Sequence, residues 1–197
     1  GSVTGAWTPQ TFAAIGATSV KYGYAFARAN PASAGSNPGN LYIIGGCTST
    51  GGPGCGSYTG AVYKCNIDTA GAVGGCTTTN QLQIGTLPGA SGAGIGAHAG
   101  AVYANYVYLL GGLAPGLTDL TTVRSARIDN SNNIVTVGTG WVESANQMNT
   151  GRRRGIGFGY NGYLYVVGGY DATTGVLADI EFSQIDVSDG SIGVWRE

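Results

Sequence analysis

A pair of adjacent glycines closes the same kind of apolar segment at three places in this chain. This repeat constrains the fold more than any other feature. The segments are LYIIGG (41–46), VYLLGG (107–112) and LYVVGG (164–169). Their first glycines are 66 and 57 residues apart, and self-similarity at such an interval indicates a fold built from repeated supersecondary units. The glycines of the three pairs are Gly45, Gly46, Gly111, Gly112, Gly168 and Gly169.

Two further patterns keep step with the glycine pairs. Segments that begin with an apolar residue and end on Ile-Asp follow each pair, at 62–68, 123–129 and 180–186. Segments rich in Gly and Ala precede each pair, at 22–29, 97–104 and 154–160. Small residues suit a strand that runs where neighbouring sheets converge, because a bulky side chain there would meet the next sheet.

An aromatic residue marks the end of the units. Trp195 ends the turn segment 190–195, Cys76 holds the matching place in 71–76, and Trp141 is its counterpart in the middle unit. Each unit is therefore predicted to contain a small inner strand, the double-glycine strand, the Ile-Asp strand and an outer strand. No long window repeats at 3.6 residues, so the predicted class is all-β.

Four strands per unit, a glycine pair after the second strand and an aromatic residue near the fourth resemble the kelch repeat, especially its bacterial variety. The third unit shows the resemblance best, with NGYLYVVGG (161–169) and DGSIGVW (189–195). The resemblance implies a β-propeller of kelch-like four-stranded blades. Because propellers typically close with roughly four to eight blades, three repeats predict a partial ring or half of a six-bladed ring.

The resemblance also fixes the domain boundaries. The whole chain, 1–197, is predicted to be one propeller segment. Residues 3–13, which contain Trp7, are expected to be a strand that completes a blade. The three repeats span approximately 14–84, 90–147 and 152–197.

All four cysteines lie in the stretch 47–76. Their spacing lacks the Cys-x-x-Cys pairs of a zinc site, and His98 is the only histidine, so disulfides and an oxidising compartment are predicted. Four cysteines allow three pairings. The favoured pairing joins Cys47 to Cys55 across a Gly-rich loop, and Cys65 to Cys76 across a hairpin.

Charge excludes some classes of partner. Charged residues make up 10% of the chain and the net charge is -1, whereas nucleic-acid binding needs clustered Lys and Arg. No apolar stretch reaches the roughly 18 residues of a membrane helix. Neither nucleic acid, nor membrane insertion, nor a cofactor is therefore expected.

The only charge cluster is Arg152, Arg153 and Arg154, which precede the small-residue strand of the third unit. Two interpretations stay open. One is a structural role between blades, and the other is an anion or sugar-acid site at the propeller mouth, because guanidinium groups match carboxylates. Tyr170 and Asp171 are further candidates for ligand contact, since aromatic side chains at loop ends stack on sugars or partner residues.

No enzyme is predicted, since a Ser-His-Asp triad would depend on His98 alone and no serine stands in a Gly-x-Ser-x-Gly segment. The expected function is an extracellular module, secreted or on a bacterial cell surface, that recognises protein or glycan through propeller loops. The alternative is a structural subunit that self-assembles at the surface or in a filament. A glycan-active enzyme is a further alternative. Expected partners also include a second copy of the chain or the remainder of a longer propeller.

Overall fold

The structure is a computed structural model that describes residues 22–30, 37–47, 57–79, 94–114, 119–135 and 141–197. This part of the chain forms strands, turns and isolated bridges, and it contains no helix. The strands form three separate antiparallel sheets, so the predicted all-β class is confirmed. The predicted strand at 3–13, with Trp7, lies outside the described residues.

Sheet 1 is a four-stranded meander in the order β1-β2-β3-β4. Its strands are β1 (Tyr24–Ala29), β2 (Gly39–Ile44), β3 (Val62–Ile67) and β4 (Val73–Thr79). Cys65 and Cys76 are direct partners in the β3–β4 register and form a disulfide, as predicted. Cys47 is also disulfide-bonded, and its predicted partner Cys55 lies outside the described residues.

Sheet 2 repeats this order with a divided outer strand. It consists of β5 (Ala99–Tyr103), β6 (Tyr106–Leu110), β7 (Val123–Ile128) and the two-residue β8 (Ile134–Val135). A second short strand, β9 (Val142–Glu143), also pairs with β7. The predicted outer strand is therefore present here as two short pieces on one partner.

Sheet 3 has three strands, where four were expected. They are β10 (Ile156–Tyr160), β11 (Tyr163–Asp171) and β12 (Gly175–Gln184). In place of a fourth strand, isolated bridges join Phe182 to Arg196 and Ile185 to Ile192. These bridges hold the segment with Trp195 against β12, so that the Trp195 ring is buried.

The glycine pairs recur because all six glycines have left-handed φ, and the first two pairs also contact the next unit closely. Gly111 and Gly112 have φ of 63° and 99°, a region that favours glycine. The Gly112 N–H donates to the carbonyl of Arg152 (2.8 Å), which precedes sheet 3. A Cβ on Gly111 would lie 2.3 Å from that same carbonyl oxygen. In sheet 1 the N–H of Gly46 likewise donates to the Ile95 carbonyl (2.7 Å), which precedes sheet 2.

The Ile-Asp repeat has a local cause. Asp68 and Asp129 follow the third strand of their sheets, and each carboxylate accepts two backbone N–H groups of the following turn, at 2.7 to 2.9 Å. Asp186 caps the corresponding turn of sheet 3 by accepting from the N–H of Ser188 (2.9 Å). Aspartate favours such turns because its side chain satisfies the backbone donors.

The small-residue strands lie side by side, with β5 next to both β1 and β10. A Cβ on Gly100 would lie 2.3 Å from the Tyr24 ring of sheet 1. On the other side, a Cβ on Gly157 would lie 2.6 Å from the Gly100 carbonyl oxygen. The repeated Gly and Ala of these strands therefore allow the sheets to approach closely.

Two apolar cores fill the spaces between the sheets. One, between sheets 1 and 2, contains Tyr42, Ile44, Leu109 and Trp141. The other lies between sheets 2 and 3. Its members include Tyr108, Leu110, Leu164, Val166 and Trp195. The tryptophans of the second and third units are thus core residues at the same place in successive units.

Candidate functional site

The residues that precede the three inner strands are joined in a chain of hydrogen bonds. The N–H of Ala97 donates to the Tyr22 carbonyl (2.7 Å), and the N–H of Arg154 donates to the Ala97 carbonyl (2.6 Å). All three residues have left-handed φ, at 55°, 56° and 58°. L-residues rarely adopt this conformation. Because it recurs at the equivalent position before each inner strand, it is a feature of the repeated unit. It brings side chains of different sheets together at one end of the structure.

Arg154 and Tyr22 form the exposed part of this end. The guanidinium carbon of Arg154 lies 5.2 Å from the centre of the Tyr22 ring. Both side chains are exposed, and the residue between them, Ala97, is small and buried. Within the described part of the chain, Arg154 has no carboxylate within ion-pair distance.

Arg153, which precedes Arg154 in the chain, makes two contacts of its own. Its guanidinium lies over the Tyr170 ring, with the guanidinium carbon 4.6 Å from the ring centre. One guanidinium nitrogen is 3.3 Å from a carboxylate oxygen of the buried Asp119. The other Asp119 oxygen accepts from the N–H of Ala172 (2.6 Å). Burial raises the pKa of the nearby Tyr58, an effect that Arg153 opposes and Asp119 reinforces.

We call Tyr22, Arg153, Arg154, Tyr170 and Asp119 the Arg–Tyr cluster. It contains two of the three predicted arginines, and each stacks on a tyrosine. Cation–π contact fixes the direction of a guanidinium without neutralising it. The cluster therefore presents positive charge next to aromatic rings. This arrangement suits a carboxylate or another anion.

Arg152 lies apart from the cluster and is fully buried. Its guanidinium donates to both oxygens of Asp179 (2.8 and 2.9 Å), to Glu181 and to the Gly168 carbonyl (2.9 Å). Burial alone would lower the pKa of Arg152, but the hydrogen bonds to Asp179 and Glu181 raise it. The same contact lowers the pKa of Asp179. The Arg152 guanidinium is thus paired with groups of the protein itself.

The carboxylate of Asp171 is also hydrogen-bonded within its own turn. One of its carboxylate oxygens accepts from the N–H groups of Thr173 (2.9 Å) and Thr174 (2.8 Å). The hydrogen bond from Thr174 is the main reason that the pKa of Asp171 is lowered. The residue closes the β11–β12 hairpin, and its neighbour Tyr170 carries the contact with Arg153.

His98 lies between sheets 1 and 2, away from solvent. A Cβ on Gly45 would lie 2.9 Å from its imidazole carbon Cε1. Burial, together with the charge of Arg124, lowers the pKa of His98 to about 4. The buried imidazole is therefore uncharged near pH 7.

A cleft of about 330 Å³ lies between the outer part of sheet 2 and the closing turn of sheet 3. Its walls include Tyr106, Arg127, Glu143, Asn146 and Asp189. Sequence reasoning missed this cleft, and it also missed Tyr22 and Tyr58. The only available signal for Tyr22 was its place before the first small-residue strand, equivalent to Arg154.

Three comparisons with known proteins bear on the fold. The chain is similar to the solved structure of YjhT, with 16% sequence identity and a TM-score of 0.53, over 80% of this chain and 42% of that chain. The chain thus spans less than half the length of this relative, and at such identity the likeness concerns the fold alone. No protein-family model and no curated protein matches the chain.

Two further properties concern the described residues only. No helix in this part of the chain is long and apolar enough to cross a membrane. The same residues include no group of three or more His, Cys, Asp or Glu side chains placed to hold a metal ion.

Proposed function

We propose that the chain is a three-blade segment of a kelch-type β-propeller that binds an anionic ligand at the Arg–Tyr cluster. In this proposal the protein is exported, and the ligand is a carboxylate-bearing glycan or protein outside the cell. The Cys65–Cys76 disulfide supports an oxidising compartment, where such bonds persist.

Several observations support the propeller. Three antiparallel meanders follow one another, each begins with an inner strand, and the inner strands are adjacent. The same face of each of the first two sheets packs on the next sheet. The hydrogen bonds from Arg154 to Ala97 and from Ala97 to Tyr22 run from sheet to sheet, as expected of units set around an axis. The likeness to YjhT at the level of the fold is consistent with this arrangement.

One observation supports the binding site: Arg154 is exposed and stacked on Tyr22, whereas Arg152 and Arg153 contact carboxylates. A guanidinium that contacts an aromatic ring keeps its positive charge and its N–H donors. It can form paired hydrogen bonds with a ligand carboxylate. The tyrosine rings at 22 and 170 offer apolar surface on which a sugar ring or a side chain can stack.

The proposal is tested by mapping amide chemical shifts while two carboxylate ligands are added separately. One is glucuronate, with glucose as its neutral control, and the other is an acidic peptide. Shifts centred on Arg154 with glucuronate but not glucose support glycan recognition, and shifts with the peptide alone support protein recognition. Arg154→Gln is expected to remove them, whereas Arg196→Gln, a change of another exposed arginine, preserves them. An unchanged spectrum with both ligands contradicts the proposal.

A second candidate function is the self-assembling subunit. It is favoured by a different observation, the exposed apolar side chains of sheet 3, which include Ile156 (68% exposed), Phe158 (45%) and Ile180 (52%). In that case assembly is retained in Arg154→Gln, and neither glucuronate nor the peptide shifts the cluster.

A further inference from the structure

Asp119 is a buried acid within the Arg–Tyr cluster, and contacts from two directions fix its position. Its side chain has no exposed surface. From the segment before sheet 3, the N–H of Arg152 donates to the carbonyl of Leu120 (3.1 Å), and a Cβ on Gly151 would lie 2.4 Å from the Asp119 carbonyl oxygen. From the β11–β12 hairpin, the N–H of Ala172 donates to Oδ2 of Asp119 (2.6 Å). The carboxylate therefore has little freedom to move away when a ligand binds.

The charge of Asp119 is balanced by Arg153. The second carboxylate oxygen, Oδ1, makes no hydrogen bond and lies 3.3 Å from a guanidinium nitrogen of Arg153. Removing an ionised carboxylate from water is costly unless a cation compensates it. Burial raises the pKa of the nearby Tyr58, while Arg153 lowers it and Asp119 raises it, as expected of two opposite charges side by side. The Asp119–Arg153 pair is therefore neutral as a unit.

The next residue, Arg154, carries a charge that no acid balances. It is exposed on the Tyr22 ring, and among the described residues no carboxylate lies within ion-pair distance of it. The carboxylate of Asp171 lies beyond that distance from both arginines and accepts hydrogen bonds from its own turn. The Arg–Tyr cluster thus has two guanidinium groups but only one uncompensated positive charge.

We propose that Asp119 is a specificity-determining residue: by neutralising Arg153 it limits the Arg–Tyr cluster to one free positive charge, which matches a ligand with a single carboxylate. This inference rests on the proposed function, because it concerns the same site. A second negative charge on the ligand would be repelled by Asp119 about as strongly as it is attracted by Arg153. Specificity of this kind comes from a repulsive element built into the site.

The test compares three sugars that share a glucose ring and differ at carbon 6. At pH 8 glucose is neutral, glucuronate carries one negative charge, and glucose 6-phosphate carries about two, since the second phosphate pKa is about 6. Dissociation constants are measured from amide chemical shifts at about 0.01 M ionic strength, where charges act over about 30 Å. The measured quantity is the affinity for glucose 6-phosphate divided by the affinity for glucuronate.

Variants of the pair are expected to change this ratio in opposite directions. Asp119→Asn frees the charge of Arg153 and keeps an oxygen that can accept the Ala172 N–H, so the ratio should rise at least about 3-fold. Arg153→Gln leaves Asp119 unbalanced, and the ratio should fall by a similar factor. The double variant should return to the wild-type ratio. Asp186→Asn makes the same change of net charge in a turn of sheet 3 outside the cluster, and it should leave the ratio unchanged.

The outcomes separate this inference from the proposed function. If the wild-type protein binds the acidic peptide but not glucuronate, the same ratio is measured with a peptide in which one glutamate is replaced by phosphoserine. Wild-type binding with an unchanged ratio in Asp119→Asn, or a raised ratio that persists in the double variant, overturns the role of Asp119 alone. Absence of binding to every ligand overturns the proposed function and this inference together.

Discussion

His98 is expected to make the stability of this protein depend on pH. The effect falls in a pH range where the other side chains with a shifted pKa do not titrate. The pKa of His98 is about 4 in the folded chain, because of burial first and the charge of Arg124 second, with the Ile44 carbonyl opposing both. In the unfolded chain the pKa of histidine is about 6.5. Between these two values the unfolded state binds a proton that the folded state does not.

The sign and size of the effect follow from this difference. Stability is full above pH 6.5 and falls as the pH drops towards 4, since the unfolded state gains the proton first. Between pH 7.5 and pH 4.5 the calculated loss is about 2.5 kcal/mol. Asp179, whose pKa is lowered, titrates below this window.

The assay is urea unfolding at pH 7.5 and pH 4.5, with the disulfides kept oxidised. Trp141 and Trp195 are both buried, so their fluorescence reports unfolding. The His98→Gln variant has no group that titrates at this position, and it is expected to lose most of the difference between the two pH values whatever its absolute stability. If the wild-type protein and His98→Gln lose stability in parallel, the reasoning about His98 is refuted.

Three further predictions concern single side chains. Arg152→Met leaves Glu181 buried without its cation, so urea unfolding should show a loss of about 3 to 5 kcal/mol. Gly111→Ala adds a Cβ 2.3 Å from a backbone oxygen and should cost at least about 3 kcal/mol. Gly71→Ala, also at positive φ but with nothing within 4 Å, should cost only about 1 kcal/mol in the same assay. Asp179→Asn should reduce the acid-induced loss of stability below pH 3.8, because the folded-state pKa of Asp179 lies below its unfolded value; an unchanged acid transition would contradict this.

The repeats could be predicted from the sequence because their causes are local. Gly111 and Gly112 are required by their own φ angles, and Asp68 and Asp129 cap turns that begin within a few residues. Such requirements fix residue types at fixed spacings. The same residue types therefore recur in every unit, and they can be recognised in a single sequence.

The site and the contacts between sheets could be predicted only in part. Asn132 lies in the turn between β7 and β8, where it is buried and its side-chain amide donates to the Ala29 carbonyl (3.0 Å) and to Asn40 (3.3 Å) of sheet 1. Similarly, nothing near Arg152 in the sequence indicates Asp179 as its partner. The Asn132 contacts are set by the packing of sheet 2 on sheet 1, and the Arg152–Asp179 pair by the folding of sheet 3; residue spacing encodes neither directly.

The three double-glycine strands belong to three separate sheets whose inner strands lie side by side. Nuclear Overhauser contacts between backbone protons test it most directly. The expected result is contact between β5 and β10 around Gly100 and Gly157, together with antiparallel contacts within each sheet. Cross-strand Hα contacts between Tyr42 and Tyr108, which would place two double-glycine strands in one sheet, would contradict the account.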